Sequence, residues 1–118
     1  MQTHSTVKFY NSRNKVILSV YRQYDGDDIG NELAEWLLKK KVIGNVGYHT
    51  MEDGFANGIE CLAAQYVAQH KTQIGSFYLT TKNDKQQYNY EIRVIGDDFN
   101  IQVGGFSGTP SELLDTPF

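Results

Sequence analysis

Three aspartates, Asp25, Asp27 and Asp28, sit where a strand-like stretch gives way to a helix-like one, in the segment VYRQYDGDDIGNELAEWL. Clustered carboxylates at a turn suit two kinds of chemistry: holding a hard cation through oxygen, or exchanging protons with a substrate. The calcium-loop template can be checked position by position. With Asp25 at its first position, Asp27 falls on the third and Gly30 on the sixth, but the fifth is Ile29 and the twelfth, which needs a bidentate glutamate, is Trp36. A strand-like segment also stands where the template has a helix, so no metal is expected. Hydrolysis by paired carboxylates fits little better, because Asp27 and Asp28 are adjacent and nothing indicates a substrate cleft. The turn itself gives most of the cluster a sufficient role, since Asp25-Gly26 turns the chain, and Asp27 or Asp28 caps the helix with its charge against the positive helix end. Asp25 is left over, close to Tyr21, Arg22 and Tyr24 at a strand's end, a common place for ligand groups. Alternation puts Arg22 and Tyr24 on the Val20 face, so Arg22 either covers the sheet's rim or turns inward to a carboxylate such as Asp25.

Other chemistry-bearing residues give weaker signals. His4, His49 and His70 have no metal-ligand spacing, and the one cysteine, Cys61, lies among Leu62, Ala63 and Ala64, as a buried small hydrophobe does. The run Gly104-Gly105-Phe106-Ser107-Gly108-Thr109 before Pro110 resembles an anion-holding loop, but it has neither the lysine of a P-loop nor a GxGxxG placement, and a glycine-rich strand exit fits it better. No cofactor is expected.

The elements that must position these residues follow from periodicity. Residues 6–10 and 15–24 read as strands joined by the turn Asn11-Ser12-Arg13-Asn14, with Val16, Leu18 and Val20 towards the core. Ile29, Leu33, Trp36 and Leu37 line one face of a helix from about Asp28 to about Lys41, with Glu32 and Glu35 outside and Lys39, Lys40 and Lys41 complementing its C-terminal dipole. Residues 42–53 carry no period and read as a connecting loop. A second helix follows Asn57, which is expected to cap it in a capping box with Glu60, and its apolar stripe is Ile59, Leu62, Ala63, Tyr66, Val67 and His70. Residues 76–81, 87–95 and 99–103 read as strands, the middle one alternating Tyr88, Tyr90, Ile92 and Val94 against polar residues. Thr109-Pro110-Ser111-Glu112 starts a short terminal helix. The result is one α+β domain over residues 1–118: an antiparallel sheet of about five strands in the order ββααβββ, two helices on one face and a short C-terminal helical turn.

At 118 residues the chain has room for a real core, and its formal net charge of −3 argues against direct nucleic-acid binding, which asks for a clustered basic face. No apolar run approaches the ~20 residues needed to span a bilayer, and the N-terminus lacks a signal-peptide pattern, so a cytoplasmic location and no membrane partner are expected. The pairing of VYRQYDG with the ELAEWL helix and then NGIECLAAQYVAQHK resembles a family of small uncharacterised phage, prophage and bacterial proteins. In that family a strand ending Tyr-Asp-Gly or Trp-Asp-Gly leads through Tyr-Pro and Gly-His-Gly to the helix, and Asn-Gly precedes a Cys-Leu-Ala-Ala-Gln helix. The similarity covers roughly residues 20–70. This chain keeps Tyr24, Asp25, Gly26, Asn57, Gly58 and Cys61 to Gln65, and has the shorter DDIGN where the family's loop should be.

The resemblance implies a phage-type accessory protein acting in the host cytoplasm, without a reaction attached. The candidate ligand- or partner-binding residues are Tyr21, Arg22, Tyr24, Asp25, Asp28 and Asn57; none is assigned as catalytic. The leading expectation is a non-enzymatic module that binds a host protein or a small polar ligand, an inhibitor of a host defence system being one form of it. The alternative is a small hydrolase or ligand-processing enzyme using Asp25 with Tyr24 and Arg22. Tyr21 and Tyr78, on the strand face away from the helices, would form an aromatic patch suited to partner binding or to a homodimer.

Overall fold

The computed structural model describes residues 4–23, 26–43, 54–81, 86, 88–96 and 98–115. Its elements are β1 (Ser5–Tyr10), β2 (Val16–Arg22), α1 (Gly26–Leu38), β3 (Lys41–Ile43), β4 (Phe55–Asn57), α2 (Gly58–His70), β5 (Phe77–Leu79), β6 (Tyr88–Ile95), β7 (Asp98–Val103), β8 (Phe106–Gly108) and α3 (Pro110–Leu114). The architecture is α+β, as expected, with a six-stranded sheet in the order β5-β2-β1-β6-β7-β8 and a separate parallel pair, β3-β4. The main sheet is mixed: β1 runs parallel to β6 and every other neighbour is antiparallel. Hairpins join the local pairs, whereas β1 and β6 meet only after the chain has crossed the helices, a connection that permits parallel strands.

Alternation assigns the two faces. Val7, Val20 and Tyr90 stand side by side in register, as do Phe9, Leu18 and Ile92, and the buried members of these rows form the core with Ile101 and Val103 of β7. α1 and α2 cover that face. Tyr66 of α2 lies 5.3 Å, ring to ring, from Phe9, and Gly30 of α1 comes against Tyr90. Leu33, Leu37 and Leu62 are fully buried there, and Leu113 of α3 joins the same core. Thr6, Lys8, Tyr10, Ser19 and Tyr21 occupy the opposite face of β1 and β2. Val16, expected towards the core, is half exposed. Here the β1–β2 register slips from Phe9↔Leu18 to Tyr10↔Val16, and the bulge carries the strand end off the core.

Several helix boundaries differ from expectation. α1 begins at Gly26, so Asp27 and Asp28 lie within its first turn and do not cap it; a carboxylate there still meets the positive helix end. α1 stops at Leu38. The amides of Lys39 and Lys40 close on the carbonyls of Trp36 and Leu37, and Lys41 already belongs to β3. The segment read as a loop contributes β3, and β4 follows at Phe55; residues 44–53 lie outside the described residues. Asn57 precedes α2 but its side chain makes no capping bond, because Asn57 is also the last residue of β4 and its backbone serves the ladder with Ile43. At α3 the expected capping box is complete: Thr109 Oγ1 accepts from the Glu112 amide, and Glu112 Oε1 accepts from the Thr109 amide.

Glycine inside a helix costs about 1 kcal/mol relative to alanine, so Gly30 needs a reason. A Cβ there would lie 3.1 Å from Tyr90 Cε1 and 3.2 Å from its hydroxyl, and Tyr90 is fully buried on an inner strand and cannot retreat. Close approach of α1 to the sheet thus requires glycine. Gly30→Ala should lower stability by about 1–3 kcal/mol through overpacking, despite its better helix propensity; a chemical-denaturation midpoint that rises would show that the approach is not so tight.

Candidate functional site

Arg22 ends β2 on the core face, where its neighbour in register on β1 is Ser5. A guanidinium brought to that position must find acceptors, because an unpaired charge out of water is costly. It finds them on both covering helices. The two hydrogens of one nitrogen, Nη1, go to Tyr66 Oη at 2.8 Å and to Glu32 Oε1 at 3.1 Å, and the guanidinium carbon stands 5.0 Å from the centre of the Phe77 ring. β2, α1, α2 and β5 therefore converge on one side chain, which is 15% exposed.

His70, one turn after Tyr66 on α2, completes the cluster. Its Nδ1–H donates to the Tyr66 carbonyl at 2.8 Å, since a carbonyl can only accept, and this turns Nε2 towards Glu32 Oε1 at 3.5 Å. Trp36, one turn after Glu32, packs edge-on against both Tyr66 and His70, donates its indole N–H to Gln69 Oε1 at 2.6 Å, and carries the Lys40 ammonium 5.1 Å from its ring centre. The i, i+4 spacing on both helices produces this interlock: Glu32 and Trp36 on α1 face Tyr66 and His70 on α2.

The electrostatics are those of mutual neutralisation. Burial pushes the Tyr66 phenol up to about 12, against the pull of Arg22, so it stays protonated and cannot serve as a base at neutral pH. Burial opposes the charge on Arg22, but Tyr66 and Glu32 outweigh it and hold the guanidinium above its ordinary value. Burial also lowers the His70 imidazole; the Tyr66 carbonyl and Glu32 favour its proton, while Arg22 and Lys40 oppose it.

The residues singled out from sequence do not converge on one site. Tyr21 and Arg22 are adjacent and so point to opposite faces. On the face away from the helices, Tyr21 pairs in register with Tyr78, their rings 6.3 Å apart; His4 stacks on Tyr21 and its Nδ1 hydrogen-bonds the Tyr21 hydroxyl. Tyr24 and Asp25 lie outside the described residues. Asp28 is exposed in the first turn of α1, and Asn57 is exposed at the start of α2. Arg22 does turn inward, and among the described residues its carboxylate partner is Glu32, which was expected to face solvent. The signal for Glu32, Tyr66 and His70 was there to be read: a core-facing arginine needs a carboxylate, and Tyr and His one turn apart on a buried stripe bring polar tips that need partners.

The glycine-rich run is a hairpin. Gly104, with φ of +55°, and Gly105 turn β7 into β8, whose residues pair back onto β7 before Thr109 caps α3. Among the described residues no group of three histidine, cysteine, aspartate or glutamate side chains is placed to hold a metal ion, and no helix is long and apolar enough to cross a membrane. No protein-family model, curated protein or solved structure matches the chain.

Two measurements check this description. Tyr66→Phe removes a buried acceptor from a cation and should cost about 1.5–3 kcal/mol, whereas the Arg22–Glu32 coupling, with Glu32 40% exposed, should stay below about 1 kcal/mol in a double-mutant cycle. The reverse ranking would contradict the central place given to Tyr66. The pH dependence follows from His70. Its folded value lies below the unfolded one of about 6.5, so the unfolded chain binds more protons. Its contribution is then present above that pH and lost as the pH falls through about 6.5 towards the folded value. Between about pH 7 and about pH 5 the unfolding free energy of His70→Gln should fall less steeply than that of the parent; an equal slope would show that His70 does not carry the pH dependence.

Proposed function

We propose that this chain is a non-enzymatic binding module of phage type that takes a host protein on the β2–β5 border of its sheet. One observation carries the reading. Six large hydrophobic side chains are exposed among the described residues, and four of them, Val16, Ile74, Tyr78 and Leu79, belong to β2, β5 or the approach to β5. Leu79 is 68% exposed and Ile74 fully so. Exposed apolar groups scattered singly are ordinary, but concentration along one sheet border marks an interaction surface. The adjoining face adds the His4-Tyr21-Tyr78 stack, with Lys71 Nζ 5.7 Å from the centre of the Tyr78 ring. Aromatic rings with a nearby cation are the side chains that interfaces favour.

The similarity of residues 20–70 to phage and prophage proteins supports a host protein as the partner. The net charge of −3 suits one that otherwise binds nucleic acid, which makes inhibition of a host defence protein one form of the proposal. Arg22, which the enzymatic alternative would use, has its donors directed at Tyr66 and Glu32.

Exposed positions tolerate substitution within about 0.5 kcal/mol, so the double variant Ile74→Asp, Leu79→Asp should melt like the parent. In affinity capture from host lysate, a protein held by the parent should be missing from the double variant. If the parent captures no specific protein, or the variant captures the same one equally well, the border is not the binding surface.

A further inference from the structure

β2 is longer than the strand beside it. The β5 register ends at Val20↔Leu79, a last bond runs from the Thr80 amide to the Ser19 carbonyl, and β2 continues through Val16, Ile17 and Leu18 with no strand on that side among the described residues. Two cavities flank this uncovered edge, one on each face of the sheet, and both include Ile17 and Leu18 in their walls. On the face away from the helices, a cavity of about 490 Å³ is lined by Lys8, Ser19, Thr80 and Thr81. On the helix face, a cavity of about 250 Å³ is walled by Ala63, Ala64 and Val67 of α2, with Glu60. The Ser19 hydroxyl, on the Lys8 side, is buried and has no hydrogen-bond partner among the described residues.

We propose that an extended segment of a partner protein adds to β2 along this edge, in line with β5, seating an aliphatic side chain against Ala63, Ala64 and Val67 and an acidic side chain towards Lys8 and Ser19. A strand sends successive side chains to opposite faces, so one cavity on each side of a single edge is the receptor that strand addition requires. The small residues of α2 leave room for an aliphatic group, and Glu60 in that wall disfavours an acidic one. Across the sheet, the Lys8 ammonium attracts a carboxylate and Ser19 Oγ–H gains an acceptor. The backbone ladder gives affinity whatever the sequence, and the two cavities set the apolar-then-acidic order. The inference deepens the binding-module reading and takes from it only that a protein partner exists.

The test uses three capped nonapeptides against the intact chain, measured by calorimetry: one alternating valine and aspartate, one with lysine in place of aspartate, and one valine–aspartate peptide N-methylated at alternate amides. The first should bind saturably. The lysine peptide should bind at least about tenfold more weakly, and the N-methylated peptide, which keeps the side chains but loses the ladder, should not bind. Lys8→Gln, on the solvent side of the sheet, should weaken the first peptide about fivefold, and Ala64→Phe, which fills the α2-side cavity from an exposed position, should abolish its binding. Failure of the first peptide to bind, equal binding of the N-methylated one, or indifference to both substitutions would overturn strand addition. The same holds if the chain dimerises and the dimer excludes the peptide, because the occupant is then a second copy. A host protein lost from the Ile74→Asp, Leu79→Asp variant while no peptide binds would sink this inference and leave the binding module standing; no captured protein and no bound peptide would sink both.

Discussion

A guanidinium out of bulk water must be answered, and in this molecule the answer comes from three directions at once. Arg22 stands at the end of β2, and its partners belong to α1, α2 and β5. Each of those elements is fixed elsewhere by apolar packing, but their mutual placement at this end of the sheet runs through that one cation. Tyr66 has the most exacting part. Its ring packs among Phe9, Trp36, His70 and Phe77, and its hydroxyl is carried to Arg22 while the rest of the side chain stays in the core. Removing one member of such a group leaves others buried without partners, so the cluster is held by the cost of breaking it more than by the strength of any one bond.

The same strand that delivers Arg22 to the core delivers Tyr21 to the other face. Period-two alternation thus separates two roles within two residues, with cohesion on the helix side and, on the far side, an aromatic surface shared with Tyr78 and His4. A second separation runs along the sheet. β5 is three residues long and β2 is seven, so their border is paired at one end and open at the other. Short edge strands are a common protection against uncontrolled pairing. Here the shortness also leaves an uncovered length of β2 between two cavities, the place proposed for the partner.

Much of the fold was legible. Alternation marked β1, β2, β6 and β7, the i, i+3, i+4 stripe marked α1 and α2, and Thr109-Pro110-Ser111-Glu112 marked α3 down to its capping box. The signals that failed were non-local. Nothing in residues 5–9 or 88–92 announces that they lie parallel, since both alternate as antiparallel strands do, and the partnership spans most of the chain. β3, β4 and β8 are three residues each, too short to show a period, and they exist because a neighbouring strand supplies the ladder. Asn57 had the right chemistry for a cap but also ends β4, and the ladder took precedence. In the site, alternation placed Arg22 correctly, while Glu32 was misplaced because a helix stripe drawn from apolar residues alone assigns every carboxylate to solvent. Sequence distance did the rest: Tyr66 stands 44 residues from the arginine it bonds.

Cohesion and binding, on this view, occupy different parts of the protein, the Arg22 cluster holding the fold and the β2–β5 border meeting the partner. Amide hydrogen exchange, residue by residue, with and without the captured host protein, tests that division most directly. New protection is expected at Val16, Ile17, Leu18 and Leu79, with little change at the amides of Glu32, Tyr66 and His70. Protection concentrated on α1 and α2 around Arg22, with the β2 edge exchanging as before, would contradict it.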